Sequence, residues 1–156
     1  MPLNPIDEIT GLATQQLVFE PTPNEIVIQA EVFKNYIAII TEKNKERHLK
    51  TVNLKTGTIS THYFDSVQEV NPSDKRRPEF FEASFIDNYT FDSNTVRYEL
   101  KTPVTPTRAM LYNMATKKVN YVGADHIKNM PDSLTCEKIE ATMRDGEQVD
   151  IVMLYD

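Results

Sequence analysis

Serine and histidine side chains are the first candidates for chemistry, because with an aspartate they can form a catalytic triad. Triads are recognised by geometry rather than by order along the chain, so widely spaced residues qualify. An efficient serine nucleophile is often held on a Gly-x-Ser-x-Gly turn, but the glycines, at positions 11, 57, 123 and 146, do not permit that motif. We therefore interpret the candidate serines as surface residues; they are Ser60, Ser84 and Ser133.

Metal binding and thiol chemistry have less support in the sequence. His48, His62 and His126 are far apart, and no cysteine or paired-histidine spacing typical of a metal site accompanies them. The single cysteine, Cys136, stands where a strand begins and is interpreted as a small buried hydrophobic residue rather than a nucleophile. The sequence predicts no metal site and no cofactor.

A cluster of aromatic residues could line a peptide-binding groove. Their spacing is that of residues on strands, which favours a place in the hydrophobic core instead. The cluster consists of Phe80, Phe81, Phe85, Tyr89 and Phe91.

The composition limits the classes of partner. With 17 basic and 23 acidic residues the formal charge is -6, and no basic cluster suited to nucleic acid is present. The short basic runs at 43–50 and 75–77 are predicted to be solvated loops. No apolar run approaches the roughly 18 residues of a membrane span. Because there is one cysteine and no apolar signal-like N-terminus, we expect a reducing, cytoplasmic compartment.

Strand patterns dominate the first half of the chain. Residues 1–24 are rich in proline and predict an extended lead-in, with one short strand at Leu17 to Glu20. Four strands joined by tight connections follow. They begin with the alternating residues Ile26 to Val32 and continue with Tyr36 to Thr41, Leu49 to Leu54, and Ile59 to Phe64.

A second set of four strands repeats the first at an offset of 59–60 residues. The segment VNLKTG begins at Val52 and YNMATK at Tyr112, whereas the second strands of the two sets begin near Ile37 and Val96. Such an offset is typical of two β-propeller blades, although a two-sheet sandwich would give similar strand spacing. The predicted strands of the second set are Glu79 to Ile86, Val96 to Lys101, Arg108 to Met114 and Val119 to Val122.

A β-hairpin closes the sequence. A three-residue loop, Arg144-Asp145-Gly146, with Gly146 in the left-handed conformation, sets Ala141 opposite Val149 and joins the main apolar rows of the two arms. A two-residue loop would place those rows against polar residues. In the second arm Val152 and Leu154 are apolar on the opposite face, so this arm needs cover on both sides.

The predicted fold class is therefore all-β, with two four-stranded antiparallel propeller-like blades followed by a hairpin. The predicted organisation is a lead-in at 1–24, blades at 25–70 and 79–122, linkers at 71–78 and 123–135, and a hairpin at 136–156.

Three stretches resemble prolyl oligopeptidase-family serine peptidases, most closely oligopeptidase B. Phe91 to Lys118, in which Thr105-Pro106 leads to a tyrosine and an M-x-T turn, is similar to the last propeller blade. The stretch EATMRDGEQVDIVMLYD is similar to the first hydrolase strands, and Glu25 to Asn44 resembles the start of the penultimate blade.

The resemblance implies a propeller that screens substrates by size and a hydrolase domain that carries a Ser-His-Asp triad and cleaves after basic residues. The triad and oxyanion hole would lie beyond Asp156, and the expected partners are that hydrolase domain and the remaining blades. Three hypotheses stay open: a non-catalytic piece of such a peptidase, a free-standing β module that binds a peptide or protein, and an independent enzyme. Self-association through exposed strand edges is also expected.

Overall fold

The first of three antiparallel sheets forms one blade. The computed structural model describes residues 17–64, 82–125 and 134–155, and among these it contains no α-helix. The first blade pairs its strands in sequence order. They are β1 (Glu25–Val32), β2 (Tyr36–Lys43), β3 (Glu46–Asn53) and β4 (Ile59–Tyr63).

The second blade repeats this architecture, and a separate hairpin follows it. Both meanders run in sequence order, as predicted, and the expected all-β class is confirmed. The predicted linker at 71–78 lies outside the described residues, as does 126–133. The remaining strands are β5 (Glu82–Phe85), β6 (Thr95–Thr102), β7 (Thr105–Asn113), β8 (Val119–Ala124), β9 (Thr135–Thr142) and β10 (Gln148–Tyr155).

The basic run at 43–50 is not a loop, so that prediction is wrong. Strands β2 and β3 continue through it and meet at a two-residue turn, Asn44-Lys45, in which both residues have positive φ angles of 53° and 66°. This is the type I′ geometry that follows the natural twist of a hairpin. The basic side chains therefore lie along paired strands.

Equivalent wide turns close the β3–β4 and β7–β8 connections. Asn53 Oδ1 accepts the amides of residues 55 and 56 at 2.9 and 3.2 Å, and Asn113 Oδ1 accepts those of residues 115 and 116 at 3.0 and 2.9 Å. Gly57 N and Lys117 N each donate to the asparagine carbonyl at 2.8 Å. The two turns that repeat in the sequence therefore make the same hydrogen bonds to their asparagines.

The fifth position of each turn is left-handed, but only one turn has glycine there. The φ angle is 71° at Gly57 and 63° at Lys117. A Cβ added at Gly57 would meet nothing within 4 Å, so Gly57→Ala carries only the backbone cost of about 1 kcal/mol. Urea unfolding should show that loss. The reciprocal substitution, Lys117→Gly, should lower the free energy of unfolding by less than Gly57→Ala does, or should raise it. Equal losses of stability at the two sites would contradict this view.

The two blades share one hydrophobic core. On β2, Tyr36, Ala38 and Ile40 point to the same face, and their partners in β3 continue that face towards the second blade. The two apolar faces pack against each other and bury these residues in one cluster that both blades share. The cluster comprises Phe33, Tyr36, Ala38, Ile40, Leu49, Phe64, Ala83, Val96, Tyr98, Leu100, Met110, Tyr112 and Met114.

The lead-in contains no strand at Leu17 to Glu20, so this prediction is wrong. Residues 17–22 have no regular structure. Side chains attach them to the first blade instead: the ring of Phe19 lies 5.3 Å from Lys50 Nζ, and Thr22 binds Glu25.

The closing hairpin has the predicted register. Ala141 pairs with Val149 and Ile139 with Ile151. The three-residue loop places Gly146 at φ 88°, and the amide of Met143 donates to Glu147 O at 2.8 Å across the loop base. No helix in the described parts of the chain is long and apolar enough to cross a membrane.

Candidate functional site between the blades

Among the described residues, the serines and histidines that could have formed a triad do not come together. Ser84 donates its hydroxyl to Glu99 Oε1 at 3.0 Å, and Ser60 lies opposite Thr51 on the edge of the first blade without a hydrogen bond to a histidine. Ser133 and His126 lie outside the described residues. Within the described residues no group of His, Cys, Asp or Glu could hold a metal ion.

His62 instead lies where the two blades meet. Its ring stacks on Tyr112 of the second blade, with centroids 4.8 Å apart and planes inclined by 28°. Its Nε2 lies 3.5 Å from the Tyr98 hydroxyl, and the ring contacts Phe64 edge-on at 5.7 Å. Phe64 in turn lies 5.2 Å from Tyr98. These four rings form an aromatic cluster that spans the interface.

The two tyrosines of the cluster are suited to packing rather than to proton transfer. Burial, with a smaller contribution from neighbouring Tyr112, holds the pKa of Tyr98 far above its usual range. Burial also raises the pKa of Tyr112. Both hydroxyls therefore stay protonated near neutral pH. A general acid or base would need a pKa near the working pH.

Side chains of the first blade also bind the backbone of β5. Arg47 donates to Ala83 O at 2.9 Å while its Nε lies 3.2 Å from Glu42 Oε2. Gln29 Oε1 accepts the amide of Phe85 at 2.8 Å. These contacts satisfy backbone groups of an edge strand that would otherwise be open to other chains. Polar contacts, as well as the shared core, therefore hold the two blades in position relative to each other.

Two lysines complete the interface at its rim. The amide of Lys34 donates to Phe91 O at 2.9 Å, and its ammonium pairs with Asp92 at 2.9 Å in an exposed position worth little energy. Lys117 Nζ donates to the buried hydroxyl of Thr51 at 3.3 Å. Partial burial lowers the pKa of Lys117.

The sequence predicted that five other aromatic residues lie in the core, namely Phe80, Phe81, Phe85, Tyr89 and Phe91. This prediction is wrong for two of them. Tyr89 is 84% exposed and Phe91 is 60% exposed, whereas Phe85 packs against the core. Tyr89 and Phe91 lie in the β5–β6 connection, where the strand alternation that suggested burial does not apply. Phe80 and Phe81 lie outside the described residues.

A buried ionic network lies at the start of β1. The Glu25 side chain is 1% exposed, and its carboxylate pairs with Lys50 Nζ at 2.5 Å and accepts the Thr22 amide and hydroxyl at 2.9 Å. Burial alone would raise the pKa of Glu25, but the bonds from Lys50 and Thr22 outweigh it and lower this pKa to about 2. The carboxylate therefore remains charged inside the fold.

One ion pair joins the hairpin to the first blade. Lys45, in the β2–β3 turn, lies 2.6 Å from Asp150 of β10. The hydrogen bond to Asp150 raises the pKa of Lys45, with a smaller contribution from the charge of Glu140. Cys136 on β9 is buried, and Arg144, Asp145 and Gly146 are exposed at the hairpin tip.

Sequence reasoning missed the role of His62 because it weighed histidines only as metal ligands or bases. The signal was present in the alternation along β4 and the residue after it, since Ser60, His62 and Phe64 follow one another at every second position. Pairing with β3 sets His62 beside buried Leu49, on the face that packs against the second blade. The cross-blade bonds of Arg47 and Gln29 left no comparable pattern in the sequence.

Comparison with known proteins finds a similar fold in solved peptidase structures. Oligopeptidase B from Trypanosoma brucei superposes with a TM-score of 0.73 at 17% identity, over 89% of this chain and 19% of that one. Oligopeptidase B from Leishmania major gives 0.67 at 12%, over 86% and 19%. The chain has the fold of a segment of prolyl oligopeptidase-family enzymes.

The oligopeptidase-like fold extends beyond oligopeptidase B. A post-proline cleaving enzyme from Rickettsia typhi gives a TM-score of 0.61 at 16% identity, over 88% of this chain and 18% of that chain. The chain thus spans about a fifth of the length of the enzymes it matches. No protein-family model and no curated protein matches the sequence. The resemblance inferred from the sequence is confirmed at the level of fold.

Proposed function

We propose that this chain is a non-catalytic propeller segment of an oligopeptidase B-like serine endopeptidase. The whole protein would cleave short peptides after basic residues in the cytoplasm. The observation that carries the proposal is the superposition on oligopeptidase B over 89% of the chain. The partners of this segment would be the hydrolase domain and the remaining blades.

In that setting the two blades would act as a rigid wall. A size-selective propeller must keep its blades in a fixed relation, because a gap between blades would admit larger peptides. The aromatic cluster around His62 and the bonds from Arg47 and Gln29 to β5 supply such a fixed relation. The Lys45–Asp150 pair would connect this wall to the first strands of the hydrolase domain.

A second candidate function is that of a free-standing β module that binds a peptide or a protein partner. The observation that favours it is the exposure of Tyr89 and Phe91, two large rings on one connection. Exposed aromatic side chains are common anchors in binding surfaces. If this function is correct, Tyr89→Ala combined with Phe91→Ala should abolish binding without loss of fold.

The chain alone is expected to hydrolyse no peptide bond. Acyl transfer needs an activated serine, a base and oxyanion donors, and losing one such donor costs about a hundredfold to a thousandfold in rate. Within the described ranges, neither Ser60 nor Ser84 hydrogen-bonds to a histidine. Purified chain should neither label with a fluorophosphonate probe nor turn over a short fluorogenic peptide with arginine before the scissile bond.

The proposed function is tested by comparing this chain with the complete native reading frame. The proposal expects a Gly-x-Ser-x-Gly segment after Asp156 and arginine-directed hydrolysis by the longer protein only. Stoichiometric labelling of Ser60, Ser84 or Ser133 in the short chain, lost with turnover when that serine is replaced, would overturn the proposal in favour of an independent enzyme. A native frame that ends at Asp156 would favour the free-standing module.

A further inference from the structure

The ammonium of Lys117 lies between the two blades without a counter-charge. It donates to Thr51 Oγ1 of the first blade at 3.3 Å, and Thr51 is 1% exposed. Within the described residues this ammonium forms no ion pair. Other lysines of the blades are paired: Lys50 with Glu25, and Lys101 with Glu99. The amine of Lys117 therefore stands in a different environment from theirs.

The backbone of the β7–β8 turn fixes the point from which this side chain starts. Lys117 has a φ angle of 63°, a left-handed conformation that is costly for a residue with a Cβ, whereas the equivalent turn of the first blade has Gly57. The amide of Lys117 donates to Asn113 O at 2.8 Å, and the amide of Asn113 donates to Lys118 O at 2.9 Å. The turn thus holds Lys117 where its side chain crosses to the other blade.

This environment favours the nucleophilic form of the amine. Only the neutral amine has a lone pair that can attack a carbon atom. Partial burial lowers the pKa of Lys117, so a larger fraction of it is neutral at a given pH. At Lys101 the hydrogen bond to Glu99 raises the pKa and keeps that amine charged. Desolvation without a carboxylate partner is a known way in which proteins activate lysine as a nucleophile.

We propose that Lys117 is a modification site that is acylated directly by small acyl phosphates. The neutral amine attacks the carbonyl carbon of the acyl phosphate and forms a C–N bond. The bond from that carbon to the phosphate oxygen breaks, phosphate leaves, and one amine proton passes through water to the phosphate. The proposal goes beyond the proposed function and does not depend on it.

The product also fits the place better than a charged side chain does. The amide formed at Lys117 is neutral, so it removes a charge that partial burial disfavours, and it keeps one N–H that can donate to Thr51. Acylation of Lys50 would have the opposite effect. It would leave Glu25, whose side chain is 1% exposed, as a buried carboxylate without its counter-charge. The structure therefore favours modification at Lys117 and disfavours it at Lys50.

The rate of acetylation at each lysine tests the proposal. The folded chain is incubated with acetyl phosphate near neutral pH, and tandem mass spectrometry follows the first acetyl groups. Each unit by which a lysine pKa falls raises the neutral fraction about tenfold, and lower nucleophilicity offsets part of this gain, so we expect Lys117 to react at least about threefold faster than Lys118. Lys118 is the matched control because it is exposed in the same turn. Lys50 and Lys101 should react more slowly than Lys118.

Two further measurements separate the fold from the local sequence. In guanidinium chloride sufficient to unfold the chain, Lys117 and Lys118 should react at similar rates, because Thr51 then no longer lies beside Lys117. Lys117→Arg keeps the positive charge and should remove the fast-reacting site while the rate at Lys118 stays unchanged. In the folded chain the rate at Lys117 should level off at a lower pH than the rate at Lys101. Circular dichroism checks the folded state of each sample.

Acetylation of Lys117 no faster than that of Lys118 in the folded chain would overturn the proposal. An excess that persists in the unfolded chain would also overturn it, because the reactivity would then arise from neighbouring residues in sequence and not from the blade interface. These assays count acetylated amines and do not involve peptide hydrolysis. Failure of this proposal is therefore distinguishable from failure of the proposed function.

Discussion

Replacing Tyr98 with alanine is expected to lower the free energy of unfolding by about 3 to 5 kcal/mol. Tyr98 is fully buried, and its ring touches Phe64 and faces His62 of the other blade. Truncation would leave a cavity at the point where the blades meet, in addition to the lost burial of the ring. Urea unfolding monitored by circular dichroism measures the loss.

Two tyrosine variants control this measurement. Tyr98→Phe removes only the hydroxyl near His62 and should cost about 1 kcal/mol, which also covers the case in which the alanine variant fails to fold. Tyr89→Ala removes the same side chain from a position that is 84% exposed and should change stability by less than about 0.5 kcal/mol. Similar losses at positions 98 and 89 would show that the blades do not share a core.

Protonation of Glu25 should strongly destabilise the chain in acid. Its pKa is lowered from 4.5 to about 2 by the folded structure. A lowered carboxyl pKa stabilises the fold fully above pH 4.5, and this contribution disappears as the pH falls towards 2. The shift corresponds to roughly 3 kcal/mol at neutral pH.

Glu25→Gln tests the origin of that acid sensitivity. At pH 7 the variant should be less stable by roughly 3 kcal/mol, because the Lys50 ammonium, whose side chain is 15% exposed, loses its counter-charge. Near pH 2 the variant and the parent should converge. Glu46→Gln, at a side chain that is 79% exposed, serves as the control with little change. A difference that stays constant from pH 2 to 7 would contradict the assignment.

Those features that follow from local sequence could be predicted well. The offset of the two sets of strands could be read from the strand patterns because both wide turns use an asparagine in the same place. The register of the closing hairpin could be read because a shift by one residue would turn apolar side chains to the wrong face. In these places the local pattern and the tertiary structure agree.

The features that depend on neighbouring chain segments could not be predicted. The strand expected at Leu17 to Glu20 is absent, because Phe19 and Thr22 bind the first blade through side chains instead. The exposed Tyr89 and Phe91 looked like core residues from spacing alone. The interface site around His62 arises from the packing of strands far apart in sequence, for which a single sequence holds little information.

The central claim is that two consecutive blades pack face to face through the aromatic cluster, and NOE spectroscopy of the aromatic rings tests it most directly. The account predicts cross-peaks between the rings of His62 and Tyr112, whose centroids lie 4.8 Å apart, and between those of Phe64 and Tyr98, at 5.2 Å. Tyr89 should give none to the first-blade rings. Ring contacts confined within each blade, with two separate unfolding transitions, would contradict the account.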